Sequence, residues 1–135
     1  MMPLFSISGT VIKGSQLGRK LGYPTANLDL PDAYTYYSLT GVYAANVEME
    51  EVIYPGMANI GFRPTLSQPS FTVEVNIFDF NRDLYGKTIT IHFLDRIRDE
   101  LRFNSLDELV TQMEKDETEI RKILSVTFNP NADSQ

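Results

Sequence analysis

The stretch Phe71-Thr-Val-Glu-Val-Asn-Ile-Phe-Asp-Phe80 alternates between apolar and polar side chains over most of its length. A period of two residues is typical of a β-strand with one buried face, because successive side chains point to opposite faces of a sheet. The polar face carries a glutamate, Glu74, in mid-strand, where this residue type is disfavoured. The apolar face is predicted to lie on a hydrophobic core and consists of Phe71, Val73, Val75 and Ile77.

Four more segments show strand patterns, and no helical pattern lies between them: Leu4–Lys13, Gly41–Met49, Val52–Ile60 and Lys87–Leu94. The third is expected to be interrupted at Pro55-Gly56, with turns over residues 62–65 and 81–83. Closely spaced strands of this kind indicate a mainly β fold, either an antiparallel barrel or a sandwich.

Only the C-terminal part of the chain has a helical pattern. Ser105 and Glu108 form a capping box, in which each side chain is expected to accept a hydrogen bond from the other residue's backbone N–H. Apolar residues then recur at helical spacing: Leu106, Leu109, Val110, Met113, Ile120, Ile123 and Leu124. This stripe is predicted to pack against the β-structure, with partner binding as the alternative. We expect one domain over residues 1–128 and a disordered tail over residues 129–135.

Composition excludes several kinds of chemistry. The chain has 135 residues, no cysteine and one histidine, His92, which rules out disulfides, thiol catalysis, thiolate metal sites and a two-histidine active site. No apolar run is long enough to span a membrane and no signal-peptide pattern opens the chain, so we expect a cytoplasmic protein without membrane partners. The net charge of −6 argues against a nucleic-acid partner.

The charge is unevenly distributed along the chain. Residues 1–28 carry a balance of +3 from Lys13, Arg19 and Lys20, whereas the rest carries −9. These cations lie in or beside a glycine-rich segment, Gly14–Asn27, whose backbone N–H groups are suited to holding phosphates. The segment matches neither the Walker loop nor the dinucleotide fingerprint, and a surface loop is the alternative interpretation. We expect it to be irregular, like the charged segment Asp95–Asn104.

The end of this segment offers candidate metal ligands. Pro24 favours extended backbone before and through it, which places Thr25 and Asn27 on the same side. Their hydroxyl and amide oxygens suit Mg²⁺, which is otherwise held by waters and substrate phosphates. Glu74 is a candidate proton acceptor for an attacking hydroxyl. The alternatives are a local turn for the first pair and a solvent-exposed strand face for Glu74.

Several motifs, in a fixed order over roughly residues 5–124, resemble the riboflavin kinase family: Gly9–Asn27, Gly41-Val-Tyr43, Pro55–Thr65, Val73–Phe80, Asp83–Lys87 and Phe93–Phe103. The resemblance implies a six-stranded antiparallel Greek-key barrel with the C-terminal helix packed outside. It also implies transfer of the ATP γ-phosphoryl group to the 5′-hydroxyl of riboflavin, which gives FMN and ADP. Arg102 stands where lysine is expected, and residues 32–40 are unfamiliar.

The resemblance also implies roles for individual residues. Thr25 and Asn27 correspond to the Mg²⁺ site, and Glu74 to the general base. Arg98, Leu101 and Phe103 correspond to the riboflavin and FMN site. Contacts with ATP are expected from Gly14, Arg19, Lys20, Gly22, Thr25, Ile77, Asp79 and Tyr85.

Two forms of the family fit the chain equally well, a free-standing kinase and the C-terminal part of a bacterial bifunctional riboflavin kinase/FMN adenylyltransferase. An N-terminal adenylyltransferase module is therefore a candidate partner. That second activity needs paired histidines, so the chain by itself is not expected to make FAD. Two further hypotheses stay open, a non-catalytic flavin- or nucleotide-binding barrel and an OB-like nucleic-acid module.

Overall fold

The computed structural model describes residues 1–14, 17–63 and 70–125. Its strands are β1 (Phe5–Ile12), β2 (Ala26–Asp29), β3 (Gly41–Met49), β4 (Val52–Arg63), β5 (Ser70–Ile77) and β6 (Thr88–Arg98). Its helices are α1 (Leu17–Lys20), a 3₁₀ helix (Ala33–Leu39) and α2 (Leu106–Leu124).

The six strands close into one antiparallel barrel in the order β1-β2-β5-β4-β3-β6. Strand β2 pairs with β5 rather than with β3, so the connections cross in the Greek-key manner. The barrel prediction is confirmed, and within the described part of the chain each strand pairs with two neighbours.

Two hydrophobic clusters explain why the chain alternates as it does. Within β3, Tyr43 and Val47 point into the barrel, whereas Val42 and Ala44 point outward. The outward pair is covered by Ile120 of α2, which is fully buried. The helix therefore packs outside the barrel on its apolar stripe, as predicted.

Two predicted interruptions of the strands are wrong. Strand β4 passes through Pro55-Gly56 without a break, because Pro55 still pairs with Asn46 of β3. At Gly56 the neighbouring strand comes very close, since a Cβ would lie 2.6 Å from the backbone oxygen of Asn76. Strand β4 also continues to Arg63 instead of turning at Phe62. The rest of that predicted turn lies outside the described residues.

Both segments predicted to be irregular contain regular structure. Gly14–Asn27 includes the short helix α1 and the beginning of β2, and β6 extends through Asp95 to Arg98. Most of the unfamiliar residues 32–40 form the 3₁₀ helix, whose last carbonyl, at Leu39, accepts a hydrogen bond of 2.6 Å from the Tyr43 hydroxyl.

The cap of α2 differs from the prediction in one bond. The Ser105 hydroxyl accepts from the Glu108 N–H at 3.1 Å, as expected. The Glu108 carboxylate accepts from the N–H of Asn104 at 3.3 Å, one residue earlier than predicted. At the other end Ser125 adopts left-handed backbone and closes the helix. The predicted disordered tail over residues 129–135 lies outside the described part of the chain. No helix in the described ranges is long and apolar enough to cross a membrane.

Candidate active site

One row of polar side chains crosses three neighbouring strands on the outer face of the barrel. In the pairing of β2 with β5, Asn27 lies opposite Glu74, and in the pairing of β5 with β4, Glu74 lies opposite Asn59. Residues directly opposite each other in an antiparallel pair point to the same face, with Cβ atoms roughly 5 Å apart. Glu74 is therefore flanked on both sides by asparagine.

A polar cavity of about 400 Å³ lies on the Asn27 side of this row. Three cations, Lys13, Arg19 and Arg82, line it against a single carboxylate, Asp83. The excess of positive charge suits an anionic ligand. Five of the predicted nucleotide contacts line this cavity, namely Gly14, Arg19, Thr25, Ile77 and Tyr85.

A second cavity of about 330 Å³, which we call the apolar cavity, lies on the Glu74 side. It contains Glu74 together with the three residues predicted to contact the flavin, Arg98, Leu101 and Phe103. Its walls also include apolar side chains from α1, the turn after α1, β3, β4 and α2: Leu17, Leu21, Val42, Met57, Leu109 and Met113. Thr25 lines both cavities, so the two meet at the Thr25–Asn27 pair.

The Thr25 and Asn27 side chains lie next to each other, as the sequence predicted. The Asn27 amide nitrogen is 3.5 Å from the Thr25 hydroxyl oxygen. Gly14 leaves room for this arrangement, because a Cβ there would clash with the Asn27 side-chain amide. The described residues contain no cluster of three histidine, cysteine or acidic side chains that could hold a metal. Two neutral oxygens beside a polar, cationic cavity fit Mg²⁺ bound mainly through substrate phosphates.

The backbone that presents Thr25 is fixed from two directions. The amide of Asn76, on β5, donates a 2.7 Å hydrogen bond to the carbonyl of Pro24. The hydroxyl of Tyr23 donates a 2.8 Å bond to Glu117 of α2. Burial and this bond to a carboxylate raise the pKa of Tyr23 above its ordinary range, so the hydroxyl stays a donor even in alkaline solution.

Three of the predicted ATP contacts do not line the polar cavity. Lys20 is the last residue of α1 and Gly22 lies in the turn after it, and neither lines the cavity, whereas Asp79 points toward α2. The Asp79 carboxylate instead accepts from the guanidinium of Arg121 at 3.0 Å, and Arg121 also bonds Glu117 at 2.8 Å. Although burial lowers the pKa of Arg121, its bonds to these two carboxylates raise the value overall. Asp79 therefore joins the end of β5 to the helix.

A second ion pair joins α2 to the flavin side of the site. The Arg98 guanidinium contacts the Asp116 carboxylate through Nε at 2.9 Å and Nη2 at 2.7 Å, and Gln112 donates to the same carboxylate. The Asp116 side chain is 3% exposed and that of Arg98 18%. Sequence reasoning missed Asp116, although an acid between Met113 and Ile120 on the apolar stripe was a usable signal.

The single histidine takes no part in either cavity. His92 lies between Ser6, whose hydroxyl is 2.7 Å from Nδ1, and Glu48, whose carboxylate is 2.9 Å from Nε2. Ser6 lies on β1, His92 on β6 and Glu48 on β3, and none of them lines a cavity described above. They form a cross-strand contact of the sheet surface.

Comparison with known proteins identifies relatives with this fold and sequence. A bifunctional riboflavin kinase/FMN adenylyltransferase of Bacillus subtilis is 44% identical over 126 residues, which are 90% of this chain and 39% of that protein. An RNA-binding riboflavin kinase of the same species is 46% identical over 111 residues, 82% of this chain and 47% of that protein. The chain thus spans less than half the length of these relatives.

A solved structure and a family profile agree with them. The crystal structure of riboflavin kinase from Trypanosoma brucei superimposes with a TM-score of 0.64 at 31% identity, covering 93% of this chain and 82% of that one. The flavokinase profile, described as riboflavin kinase, matches residues 2–124. The chain therefore belongs to the riboflavin kinase family.

Proposed function

We propose that this chain transfers the γ-phosphoryl group of ATP to the 5′-hydroxyl of riboflavin and releases FMN and ADP. The observation that carries the proposal is the pairing of Asn27 with Glu74 at the place where the cationic cavity meets the apolar one. A nucleoside triphosphate suits the cationic cavity, and a flavin ring suits the apolar cavity. The reacting oxygen and phosphorus then meet beside Glu74.

In the proposed step a bond forms between the riboflavin 5′-oxygen and the γ-phosphorus, and the bond from that phosphorus to the β,γ-bridging oxygen breaks. The electron pair of the broken bond stays on ADP. Glu74 accepts the proton of the 5′-hydroxyl, and its fixed position on β5 orients that hydroxyl toward the phosphate. Positioning and charge stabilisation dominate this reaction, because the protein forms no covalent bond.

On the nucleotide side, Gly14 allows close approach of the backbone and Arg19 neutralises phosphate charge. Thr25 and Asn27 would hold Mg²⁺ together with phosphate oxygens. When bound, the ion would withdraw charge from the phosphates. On the acceptor side, Leu101 and Phe103 cover the ring and exclude water, which would otherwise compete as the acceptor.

Incubation of the chain with riboflavin, ATP and Mg²⁺ tests this proposal directly. We expect FMN and ADP in equal amounts by chromatography, with no FMN when ATP is omitted. Binding of riboflavin without formation of FMN would favour a non-catalytic flavin-binding barrel.

The alanine double variant Thr25→Ala/Asn27→Ala is expected to raise the KM for ATP about 10-fold or more and to weaken the dependence on Mg²⁺, because both proposed oxygen ligands are lost. The control is Thr25→Ser, which keeps the hydroxyl and should stay close to wild type. Initial rates over a series of Mg²⁺ concentrations measure both effects. An unchanged Mg²⁺ dependence in the double variant would contradict the metal assignment.

The partner and the location remain part of the proposal. The B. subtilis bifunctional relative pairs this kind of domain with an FMN adenylyltransferase, and we extend that pairing to this chain as a candidate N-terminal module. The cytoplasm, where ATP and riboflavin are available, is the proposed location.

A further inference from the structure

We propose that Asn59 is a specificity residue that binds a secondary hydroxyl of the substrate's sugar-alcohol chain, next to the hydroxyl that is phosphorylated. This inference rests on the proposed function and adds to it the contact that selects a polyhydroxylated acceptor. It starts from a buried oxygen beside Glu74.

The side-chain oxygen of Asn59 is buried, and among the described residues it has no hydrogen-bond partner. Buried polar side-chain atoms in folded proteins nearly always have one, so an exception needs a reason. Asn59 also lines the apolar cavity, so its side chain borders the space that a ligand there would occupy. A hydroxyl group of that ligand would supply the missing donor.

The second such oxygen in the described residues belongs to Thr72, and it lies on the same face of the barrel. Thr72 precedes Glu74 by two residues on β5 and pairs with Gly61 of β4. Unlike Asn59, Thr72 is not among the residues that line the cavity. The two residues therefore provide a matched comparison, because only one of them faces the substrate.

The direction of the substrate follows from the row across the three strands. Asn27, beside the cationic cavity, and Asn59 lie on opposite sides of Glu74. The phosphate arrives from the Asn27 side and the reacting oxygen is held at Glu74. The acceptor's carbon chain therefore extends toward Asn59. The first hydroxyl along that chain, on C4′ of the ribityl group, is the one that we assign to the Asn59 oxygen.

The chemistry of the contact predicts selectivity. A buried amide oxygen accepts a hydrogen bond from the substrate's hydroxyl. It loses this bond when the substrate carries a hydrogen atom in place of that hydroxyl. A site built in this way discriminates against the deoxy compound more strongly than an apolar pocket discriminates by size. The side chain of Asn59 would also hold the ribityl chain in the orientation that presents the 5′-hydroxyl to Glu74.

The test compares Asn59→Leu, which has a similar shape and no polar atoms, with Thr72→Val and wild type. Substrates are riboflavin and its 4′-deoxy analogue. With riboflavin, we expect kcat/KM of Asn59→Leu to fall roughly 10–100-fold, as for a lost hydrogen bond at a buried group, while the KM for ATP stays near wild type. Thr72→Val should keep the wild-type kcat/KM.

The analogue provides the decisive comparison. For wild type, kcat/KM with the deoxy compound should be lower than with riboflavin by about the factor that separates Asn59→Leu from wild type with riboflavin. For Asn59→Leu, kcat/KM should fall little further with the deoxy compound, because the contact is already absent. Additive losses, or an equal loss in Thr72→Val, would overturn the assignment. If Asn59→Leu fails to fold by circular dichroism, undiminished turnover of the deoxy compound by wild type would overturn it alone.

Failure of the proposed function gives a different result from failure of this inference. The affinities for riboflavin and for the deoxy analogue can be measured without turnover, from the quenching of flavin fluorescence on binding. If wild type forms no FMN, the phosphotransferase proposal fails. The contact would still be supported if Asn59→Leu bound riboflavin more weakly than wild type but bound the deoxy analogue equally well. If FMN forms and both affinities match wild type, only the Asn59 assignment is wrong.

Discussion

Replacing Glu74 with glutamine is expected to lower kcat by about 10²–10⁴-fold, the usual contribution of a positioned general base. The amide has the shape of the carboxylate and can still hydrogen-bond the 5′-hydroxyl, but it cannot accept the proton. Binding of riboflavin and of ATP should therefore change little. Single-turnover rates and equilibrium binding, measured on the same protein, separate the two effects.

The control is Glu119→Gln, which removes the same charge from an exposed position on α2. It should have wild-type kcat, which excludes an effect of net charge. A kcat of Glu74→Gln within a factor of two or three of wild type would show that another group accepts the proton. A loss of riboflavin binding equal to the loss of kcat would make Glu74 a binding residue instead.

The mainly β class could be predicted from alternation, because most strands pack one face on the barrel core and the period of two survives in the sequence. The closed six-stranded barrel was implied only by the family resemblance, since alternation fits a sandwich equally well. The predicted break at Pro55-Gly56 failed because local preference opposed tertiary packing. Gly56 is required there by the close approach of β5, and the proline keeps its place opposite Asn46. Both residues serve the packing of β4 against its neighbours, which no local rule describes.

The candidate site was predicted in its parts but not in its arrangement. Thr25 and Asn27 are close in sequence, so their shared side followed from extended backbone. The pairing of Asn27 with Glu74 depends on barrel closure, which brings β2 beside β5, and the sequence contains no signal for that register. Asn59 was missed for the same reason, since its importance comes only from its place opposite Glu74.

Charged residues of α2 were the largest omission. The apolar stripe predicted packing of α2, but it gave no indication that charged residues between its members are buried. Asp116 and Arg121 are nevertheless buried, because each pairs with an opposite charge on the barrel, Arg98 and Asp79. A pair of this kind depends on two distant elements, so neither residue alone reveals it.

The ion pair between Arg98 and Asp116 gives the second large prediction. Asp116→Ala is expected to lower the free energy of unfolding by about 3–5 kcal/mol, because it leaves a mostly buried guanidinium without its carboxylate. Urea titration followed by circular dichroism measures the change as a shift of the midpoint. Glu119→Ala, at an exposed position on the same helix, should stay within about 0.5 kcal/mol of wild type.

A double variant separates the cost of the unpaired charge from the worth of the pair. In Arg98→Met/Asp116→Leu no charge is left buried, so this protein should be more stable than Asp116→Ala although it carries one more substitution. Because Arg98 lines the proposed flavin cavity, the same protein should bind riboflavin more weakly than wild type. If the double variant is more stable than Asp116→Ala but binds riboflavin weakly, the ion pair serves the flavin site rather than the stability of the fold. A double variant less stable than Asp116→Ala would instead mean that the ion pair itself stabilises the attachment of α2 to the barrel.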